Sequence, residues 1–344
     1  MPLPLMSVLH NNMINPNSPE PGQTFRLLVV DDVHPVLFDR LREIPQLECR
    51  YRPAASVPEI LAELRECEGL LLRGKLSLDA ALLSGFPRLR LIARAGAGVD
   101  NIDQTAACER GITLVHAGEG NRLAVAEHVV GMLLGLFNRL PQSNAEVRRG
   151  IWDREGNRGR QLCGLTVGIV GYGNNGSATA ALLSGLGCRV LAHDKYRMGF
   201  SGPSIQECSL EELQRNADVV SLHVPLTPET QGWVDANFIR ACAKQPVLVN
   251  AARGEIMVLA DAVAALESGA LWGACLDVLP LEDPRNWDSP LMNRLFSHPN
   301  VLLSPHTAGW THESYVSIAE VLSSKIIAFL KSYFTGIPDA QARD

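Results

Sequence analysis

The sequence predicts an α/β protein built from two doubly wound parallel sheets. From residue 26 onward, short apolar runs alternate with segments whose apolar residues have helical spacing, such as Val36, Leu37 and Leu41. This alternation is typical of parallel strands covered by helices on both faces. A second series of the same kind begins at Thr166, and 344 residues are enough for two domains of roughly 150 residues each. The repeat of the series therefore predicts two domains.

The individual elements follow in chain order. In the first series, strands are predicted at residues 27–30, 70–72, 89–92 and 113–115. A long helical stretch, residues 124–149, comes next, and Pro141 is expected to kink or break it. The last helix is predicted at residues 313–330. Strands of the second series are predicted at residues 166–170, 189–192, 219–223, 247–250, 274–277 and 301–304.

Charge and hydropathy exclude two classes of partner. The net charge is −6, which argues against a surface that coats nucleic acid or an anionic membrane. No apolar run approaches the roughly 18 residues that a membrane span needs. Residues 1–24 are rich in Pro and Asn and lack the basic and apolar regions of a signal peptide, so we expect a disordered leader.

Eight cysteines are scattered without a CxxC pair. This spacing favours neither a disulfide framework nor a zinc site, and we expect no metal. Reduced thiols that act as small core residues are the simpler interpretation, and they indicate a cytoplasmic protein.

The strongest motif is a glycine-rich turn between a predicted strand and a helix. Gly171 permits a tight turn, Gly173 lets the backbone approach a pyrophosphate, and Gly176 lets helix and strand pack closely. Asp194 ends the next strand, where a carboxylate binds ribose hydroxyls and repels a 2′-phosphate, so NAD is favoured over NADP. Lys195 lies beside it and could tolerate a phosphate, as could Arg197, so NADP stays open. The turn also contains Tyr172, Asn174 and Asn175.

Three segments of the second half each lie at or just beyond the carboxyl end of a predicted strand, where open parallel sheets bind ligands. They contain Arg253, Glu282 and His306. An imidazole can exchange a proton with a 2-hydroxyl group near neutral pH, and a neighbouring carboxylate holds its tautomer. A guanidinium can grip a substrate carboxylate with two hydrogen bonds. Taken singly, each residue could instead be a solvated loop residue, and spacing alone does not bring them together.

The chain resembles the D-isomer-specific 2-hydroxyacid dehydrogenases from about residue 26 to the last helix. The resemblance rests on ARAGAGVDNID, AEHVVGMLL, the glycine turn with Asp194, LHVPLTPET, VNAARGE, LDVLPLE and SPHTAG. It implies a flavodoxin-like substrate domain, residues 25–120 and 305–344, and an inserted Rossmann NAD domain, residues 121–304. It also implies a homodimer through the NAD domains. Asn174 and Asn175 depart from the family pattern of an Arg or His followed by an aliphatic residue.

The resemblance assigns roles to residues. Arg253, Glu282 and His306 resemble the catalytic trio, and Asp277 resembles the supporting aspartate near the nicotinamide. Further cofactor contacts are implied for His223, Val224, Pro225, Ala251 and Ala252. The family resemblance also implies that the loop with Ala95, Gly96, Ala97 and Gly98 is a backbone cradle for the substrate carboxylate. The phosphoglycerate dehydrogenase branch is the most similar, and it implies substrate contacts for Arg73, Arg94 and, across the dimer, Arg154.

The resemblance leaves several functions open. The leading expectation is oxidation of 3-phosphoglycerate with NAD, and hydroxypyruvate, glyoxylate and 2-oxoglutarate are alternative substrates. A non-catalytic NAD(H)-sensing protein of the dehydrogenase-like corepressor type would keep the same trio. A formate-type dehydrogenase on this scaffold lacks the glutamate partner, so Glu282 argues against it. Arg154 also lies in a stretch of five arginines that could simply be solvated.

Overall fold

The computed structural model describes residues 23–336. The predicted leader lies outside these residues except for residues 23 and 24. The described chain divides into two compact units. The first comprises residues up to 95, 101–115 and 319 onward, and the second comprises 96–100 and 116–318. The predicted domain boundaries at residues 120/121 and 304/305 stay a prediction.

The first unit contains a five-stranded sheet. Its strands are β1 (Phe25–Val29), β2 (Leu47–Tyr51), β3 (Gly69–Leu72), β4 (Leu91–Arg94) and β5 (Thr113–His116). Its helices are α1 (Val36–Leu41), α2 (Val57–Leu64), α3 (Ala80–Ser84) and α4 (Gln104–Glu109). The spatial order β2-β1-β3-β4-β5 is the flavodoxin-like order, and β2, β1, β3 and β4 pair in parallel.

The second unit contains a seven-stranded parallel sheet. Its strands are β6 (Thr166–Val170), β7 (Arg189–His193), β8 (Ile205–Glu207), β9 (Val219–Leu222), β10 (Val247–Asn250), β11 (Gly273–Leu276) and β12 (Val301–Leu303). Its helices are α5 (Arg122–Phe137), α6 (Leu140–Arg148), α7 (Asn174–Gly185), α8 (Leu210–Asn216), α9 (Ala236–Ala241), α10 (Leu259–Ser268) and α11 (Pro290–Ser297). The order β12-β11-β10-β9-β6-β7-β8 extends the Rossmann order by one strand. Together the two sheets confirm the predicted fold class.

Burial explains why the central strands are almost purely apolar. Every residue of β6, β9, β10 and β11 is buried, because helices cover both faces of the parallel sheet. The last helix, α12 (His312–Thr335), covers part of the first sheet. There the Phe25 ring centroid lies 5.9 Å from that of Phe329 and 5.2 Å from that of Tyr333.

The predicted helix at residues 124–149 is two helices, α5 and α6. Arg139 stands between them in the left-handed conformation with φ of 52°, and Pro141 lies in the first turn of α6. Proline is accepted in a first turn because the amide it lacks has no partner there. The predicted break is therefore confirmed, with its kink two residues before the proline.

Within residues 23–336, no single helix is long and apolar enough to cross a membrane. Only by length and composition, α5 and α6 together would reach the size of a span, and they meet at a bend of 58°. The same part of the chain has no group of three or more His, Cys, Asp or Glu side chains that could hold a metal ion. All eight cysteines lie in it, and their thiols are free.

Candidate active site

The glycine turn, residues 171–176, joins β6 to α7 at the point where the strand order of the second sheet reverses. Gly171 has φ of +93°, and a Cβ there would lie 2.8 Å from the carbonyl of His223. A Cβ on Gly176 would lie 1.9 Å from the Gly171 oxygen, so only glycine allows this contact between helix and strand. Gly173 instead faces open space at the N-terminus of α7. This arrangement fits a bound pyrophosphate.

The two asparagines that depart from the family pattern do not prevent the helix. Both are its first residues, and Thr179 donates its hydroxyl to the Asn175 carbonyl at 2.9 Å. Within residues 23–336, Asn175 Oδ1 is buried without a hydrogen-bond partner. This buried oxygen is an unused hydrogen-bond acceptor at the N-terminus of α7.

Asp194 follows β7 and binds the glycine turn directly. Its Oδ2 accepts the Tyr172 amide at 2.7 Å, and its Oδ1 accepts the amides of Tyr196 and Arg197, each at 2.9 Å. Although burial alone would raise the pKa of this carboxyl, the three amides and the Arg197 charge lower it. Asp194 therefore carries a negative charge at neutral pH, beside the turn that fits a pyrophosphate.

Lys195 and Arg197, the two cations that could tolerate the 2′-phosphate of NADP, already have hydrogen-bond partners. Lys195 Nζ donates to Glu229 Oε1 at 2.8 Å and Oε2 at 2.6 Å. Arg197 Nη1 donates to the Tyr172 carbonyl at 2.7 Å. A 2′-phosphate would have to compete with these bonds.

His223 follows β9, the strand next to β6. Its Nε2 lies 2.9 Å from Ser221 Oγ, and burial lowers the pKa of the imidazole to about 4. It is therefore neutral at pH 7. The Val224 side chain lies 3.0 Å from the Cβ position of Gly171, and Pro225 continues the segment. The implied cofactor segment thus adjoins the glycine turn.

His306 and Glu282 form a hydrogen-bonded pair. His306 Nδ1 lies 2.9 Å from Glu282 Oε1 and 3.1 Å from Oε2. A carboxylate can only accept, so Nδ1 carries the proton and Nε2 is left with a lone pair in the neutral imidazole. Both side chains are about half exposed, at 45% and 52%. The pair can take a proton from a ligand and stabilise the resulting charge.

His306 adopts a left-handed backbone with φ of +55°. This conformation costs roughly 1–2 kcal/mol for a residue with a Cβ. Its amide donates to the Asp277 carbonyl at 2.7 Å. The Asp277 carboxylate, 1% exposed, accepts the amides of Thr307 and Ala308, each at 2.9 Å. Asp277 thus holds the turn that carries the imidazole.

Arg253 follows β10 and packs against the glycine-rich segment 96–98. Its Nε and Nη2 both lie 2.7 Å from Asp100 Oδ2, and Nη1 donates to the Ala252 carbonyl at 2.7 Å. A Cβ on Gly98 would lie 1.7 Å from Nη2, so a side chain there would displace the guanidinium from this position. Asp100 therefore orients the guanidinium, and its outer edge can bind an anion.

The three residues of the predicted trio follow neighbouring strands. Arg253 follows β10, Glu282 lies in the loop after β11, and His306 follows β12. Ala251 precedes Ala252 directly after β10. Because these strands are parallel, all these side chains leave the sheet at one edge, which is also the edge of the glycine turn.

The predicted substrate residues fall in different places. Arg73 and Arg94 belong to the first unit with Ala95, and the Arg73 amide donates to Asp31 Oδ2 at 2.6 Å. Gly96, Ala97 and Gly98 belong to the second unit, where the Gly96 carbonyl accepts the Ala117 amide at 3.0 Å. Arg154 lies exposed in the loop between α6 and β6.

Sequence reasoning missed the residues that form hydrogen bonds to the predicted site residues. Asp100 lies in a motif that carries the resemblance, but nothing in the spacing pairs it with a residue 153 positions later. Ser221 and Ser304 sit at strand ends among apolar residues. His128 lies on an apolar helix, and its hydrogen bond to Ser304 spans 176 positions.

Comparisons with known proteins give a family match and a set of similar chains. Residues 130–308 match the family model described as D-isomer specific 2-hydroxyacid dehydrogenase, NAD binding domain. D-3-phosphoglycerate dehydrogenase of Rattus norvegicus is 32% identical over 320 residues, which are 92% of this chain and 59% of that protein. The chain spans between half and six tenths of the length of its curated relatives.

Two solved structures extend the comparison. D-lactate dehydrogenase from Aquifex aeolicus, complexed with NAD and lactic acid, has a TM-score of 0.77 at 28% identity and covers 91% of this chain and 97% of its own. NADPH-dependent glyoxylate/hydroxypyruvate reductase from Sinorhizobium meliloti, with NADP and malonate, has a TM-score of 0.73 at 28% identity and covers 90% and 95%. The resemblance noted in the sequence is confirmed, and so is an NAD binding domain in the second half.

Proposed function

Because the chain belongs to the D-isomer specific 2-hydroxyacid dehydrogenase family, we propose that it transfers a hydride between C2 of a D-2-hydroxy acid and NAD. The observation that carries the proposal is the pair formed by His306 and Glu282, with Nδ1 2.9 Å from Oε1. This pair lies at the carboxyl edge of the sheet, as do Arg253 and the glycine turn. Ligands of open parallel sheets bind at that edge.

The side chains perform the steps that surround hydride transfer. His306 Nε2 takes the proton of the C2 hydroxyl during oxidation and returns it during reduction. Glu282 stabilises the imidazolium that forms in between. Arg253 binds the substrate carboxylate and polarises the 2-oxo group. The nicotinamide ring, when bound, supplies the hydride acceptor or, in its reduced form, the donor.

We propose 3-phosphoglycerate, oxidised to 3-phosphohydroxypyruvate, as the substrate. Support comes from the curated relatives named D-3-phosphoglycerate dehydrogenase, at 32–34% identity. Further support comes from the guanidinium groups of Arg73, Arg94 and Arg154, since a substrate with both a phosphate and a carboxylate needs several cations. Reduction of hydroxypyruvate or glyoxylate is the second candidate, which the Sinorhizobium meliloti structure favours.

A substrate panel tests the activity and the substrate together. Purified protein is assayed with 3-phosphohydroxypyruvate, hydroxypyruvate, glyoxylate and 2-oxoglutarate, each with NADH and with NADPH. We expect the highest kcat/KM with 3-phosphohydroxypyruvate and NADH. A higher value with hydroxypyruvate or glyoxylate would replace the proposed substrate. Tight NADH binding without turnover of any 2-oxo acid would contradict the dehydrogenase itself.

Asp194 sets the preference for NAD in this proposal. We expect Asp194→Asn to lower the ratio of kcat/KM for NADH to that for NADPH about tenfold or more, because the charge that repels a 2′-phosphate is removed. Asparagine keeps one acceptor oxygen, which can serve the Tyr196 and Arg197 amides, and loses the acceptor that now binds the Tyr172 amide. Steady-state kinetics with both coenzymes measure the ratio.

Glu207→Gln is the matched control for Asp194. Its carboxylate also accepts backbone amides of the same segment, from Gly199 at 2.7 Å and Phe200 at 3.1 Å. The control should leave the coenzyme ratio near the wild-type value. An equal shift in both variants would mean that general charge, and not the position of Asp194, determines the preference.

We further propose a homodimer formed through the second unit. Support comes from α6, which has no buried residue, and from the exposed apolar side chains of Leu140, Val147, Ile151 and Trp152. The intact protein should sediment at twice the 37.4 kDa chain mass, and Trp152→Glu should produce a monomer. Leu186→Glu, at another exposed leucine, should stay dimeric. Wild-type protein that sediments as a monomer would rule the dimer out.

The domain division and the location complete the proposal. We take residues 25–120 and 305–344 as the substrate domain and residues 121–304 as the NAD domain, and limited proteolysis would test the boundaries.

The free thiols support a cytoplasmic location, because disulfides are rare in that compartment. Cell fractionation tests it, and recovery outside the cytoplasm would contradict it.

A further inference from the structure

The turn after β12 needs a support, because it holds a non-glycine residue in an unfavourable conformation. His306 has φ of +55°, which brings its Cβ close to the following carbonyl. Such a conformation persists only when surrounding contacts fix it. The imidazole at this position pairs with Glu282, so the conformation determines where Nε2 points.

Asp277 supplies three of these contacts. Its carbonyl accepts the His306 amide at 2.7 Å, its Oδ1 accepts the Thr307 amide at 2.9 Å, and its Oδ2 accepts the Ala308 amide at 2.9 Å. The two carboxylate oxygens must each face a different amide, so the rotation of the carboxylate matters. What fixes that rotation also fixes the turn.

His128 and Ser304 fix the carboxylate from the other side. Ser304 Oγ donates to Asp277 Oδ1 at 2.6 Å, which uses its single proton. His128 Nε2 lies 2.8 Å from the same hydroxyl oxygen and 3.3 Å from Asp277 Oδ1. Since the serine proton is already donated, Nε2 carries a hydrogen and donates it to both oxygens. Although burial would raise the pKa of Asp277, the bonds from His128, Ser304 and the two amides hold it well below its usual range.

We propose that His128 is a positioning residue of hydride transfer. By donating its Nε2 hydrogen to Ser304 and Asp277, it fixes the carboxylate that holds the amides of the turn, and so it sets the direction of the His306 imidazole. This inference rests on the proposed function, in which His306 moves the proton. His128 itself touches neither substrate nor coenzyme in this role.

The alternative is that His128 only packs α5 into the core. Its neighbours on the helix are buried, with Val129 at 0% and Val125 at 3% exposure, whereas the His128 side chain is 25% exposed. A packing role depends on the volume of the side chain. The proposed role depends on a donor at one position, and the two make different predictions.

Three variants separate these roles. His128→Gln places an amide hydrogen near the position of Nε2, His128→Asn places one near Nδ1, and His128→Leu has none. We expect His128→Asn and His128→Leu to lower kcat about tenfold or more, with the KM for NADH unchanged within about twofold, because a misdirected base slows the proton transfer alone. We expect His128→Gln to recover most of the lost kcat. Thermal unfolding of each variant is measured in parallel.

The outcomes are unambiguous. A kcat that is equal in the glutamine, asparagine and leucine variants would overturn the proposal, and so would a kcat loss that follows the fall in Tm across the series. His128→Leu and Ser304→Ala both act on Asp277 Oδ1, and the shorter route from His128 runs through Ser304, so the double variant should be hardly slower than the slower single variant. If the kcat losses of the two single variants multiply in the double variant, His128 does not act through Ser304.

His306→Ala distinguishes failure of the inference from failure of the proposed function. If that variant keeps full turnover, the proposed role of His306 is wrong, and this inference falls with it. If it loses turnover while all His128 variants keep theirs, only the positioning role is wrong. If both sets lose turnover, with rescue by glutamine, both statements are supported.

Discussion

Replacing His306 with alanine is expected to lower kcat by a factor on the order of 10²–10⁴, the usual contribution of a positioned acid or base. The structure gives the reason, because Glu282 occupies Nδ1 at 2.9 Å and leaves Nε2 to exchange the proton of the substrate hydroxyl. Coenzyme binding should not change, since the glycine turn and Asp194 lie after other strands. Steady-state kinetics and fluorescence titration with NADH measure the two effects separately.

His298→Ala is the matched control for this variant. His298 precedes β12, whereas His306 follows it, so the control imidazole lies at the opposite edge of the sheet. It accepts the Asn300 amide at 3.2 Å, and its loss should affect stability slightly and turnover little. A His306→Ala protein that keeps its turnover would remove this imidazole from the mechanism, even if the family assignment stands.

Replacing Arg253 with lysine is expected to lower kcat/KM for the 2-oxo acid roughly a hundredfold, mainly through a higher KM. The guanidinium uses Nε and Nη2 for Asp100 and Nη1 for the Ala252 carbonyl, which fixes its plane. An ammonium group cannot bind these partners and also present a flat edge to a carboxylate. Kinetics at saturating NADH with the best 2-oxo acid of the panel test this expectation.

Two further variants show whether a higher KM comes from the Arg253 guanidinium itself. Asp100→Asn keeps Arg253 but removes the charge that orients it, so it should raise the KM about tenfold, less than the loss of the guanidinium itself. Arg294→Lys changes an arginine that pairs with Glu267 on α10, and it should leave the KM unchanged. If Arg253→Lys has the wild-type KM, the substrate carboxylate binds elsewhere.

Local signals in the sequence were enough to predict the strand, turn and helix of the glycine motif. The strand before Gly171, the helix after Gly173 and the carboxylate at Asp194 each have a local signature, because the turn brings them together within 24 residues. The carboxyl-edge position of Arg253, Glu282 and His306 followed from the strand pattern. Their roles required the family resemblance, since loops of undefined shape separate each residue from its strand.

Two strands had too weak a pattern to be predicted. The strand β2, with the sequence LECRY, lies at the edge of its sheet, and its residues are only partly buried. It therefore contains polar residues and lacks the continuous apolar run by which the other strands were predicted. The other edge strand, β8, has three residues. The left-handed backbone of His306 and the bonds of Asp100 and His128 could not be predicted either, because they depend on contacts between distant parts of the chain.

The packing of Phe25 against Phe329 and Tyr333 has a consequence for biosynthesis. The end of α12 leaves the ribosome about 300 residues after β1, or some 15–60 s later at the usual 5–20 residues per second. During that interval the whole sequence of the second unit emerges. The Phe25 ring of the nascent first sheet therefore stays without its two partners on α12 throughout that interval, and a chaperone that shields the ring would act in that window.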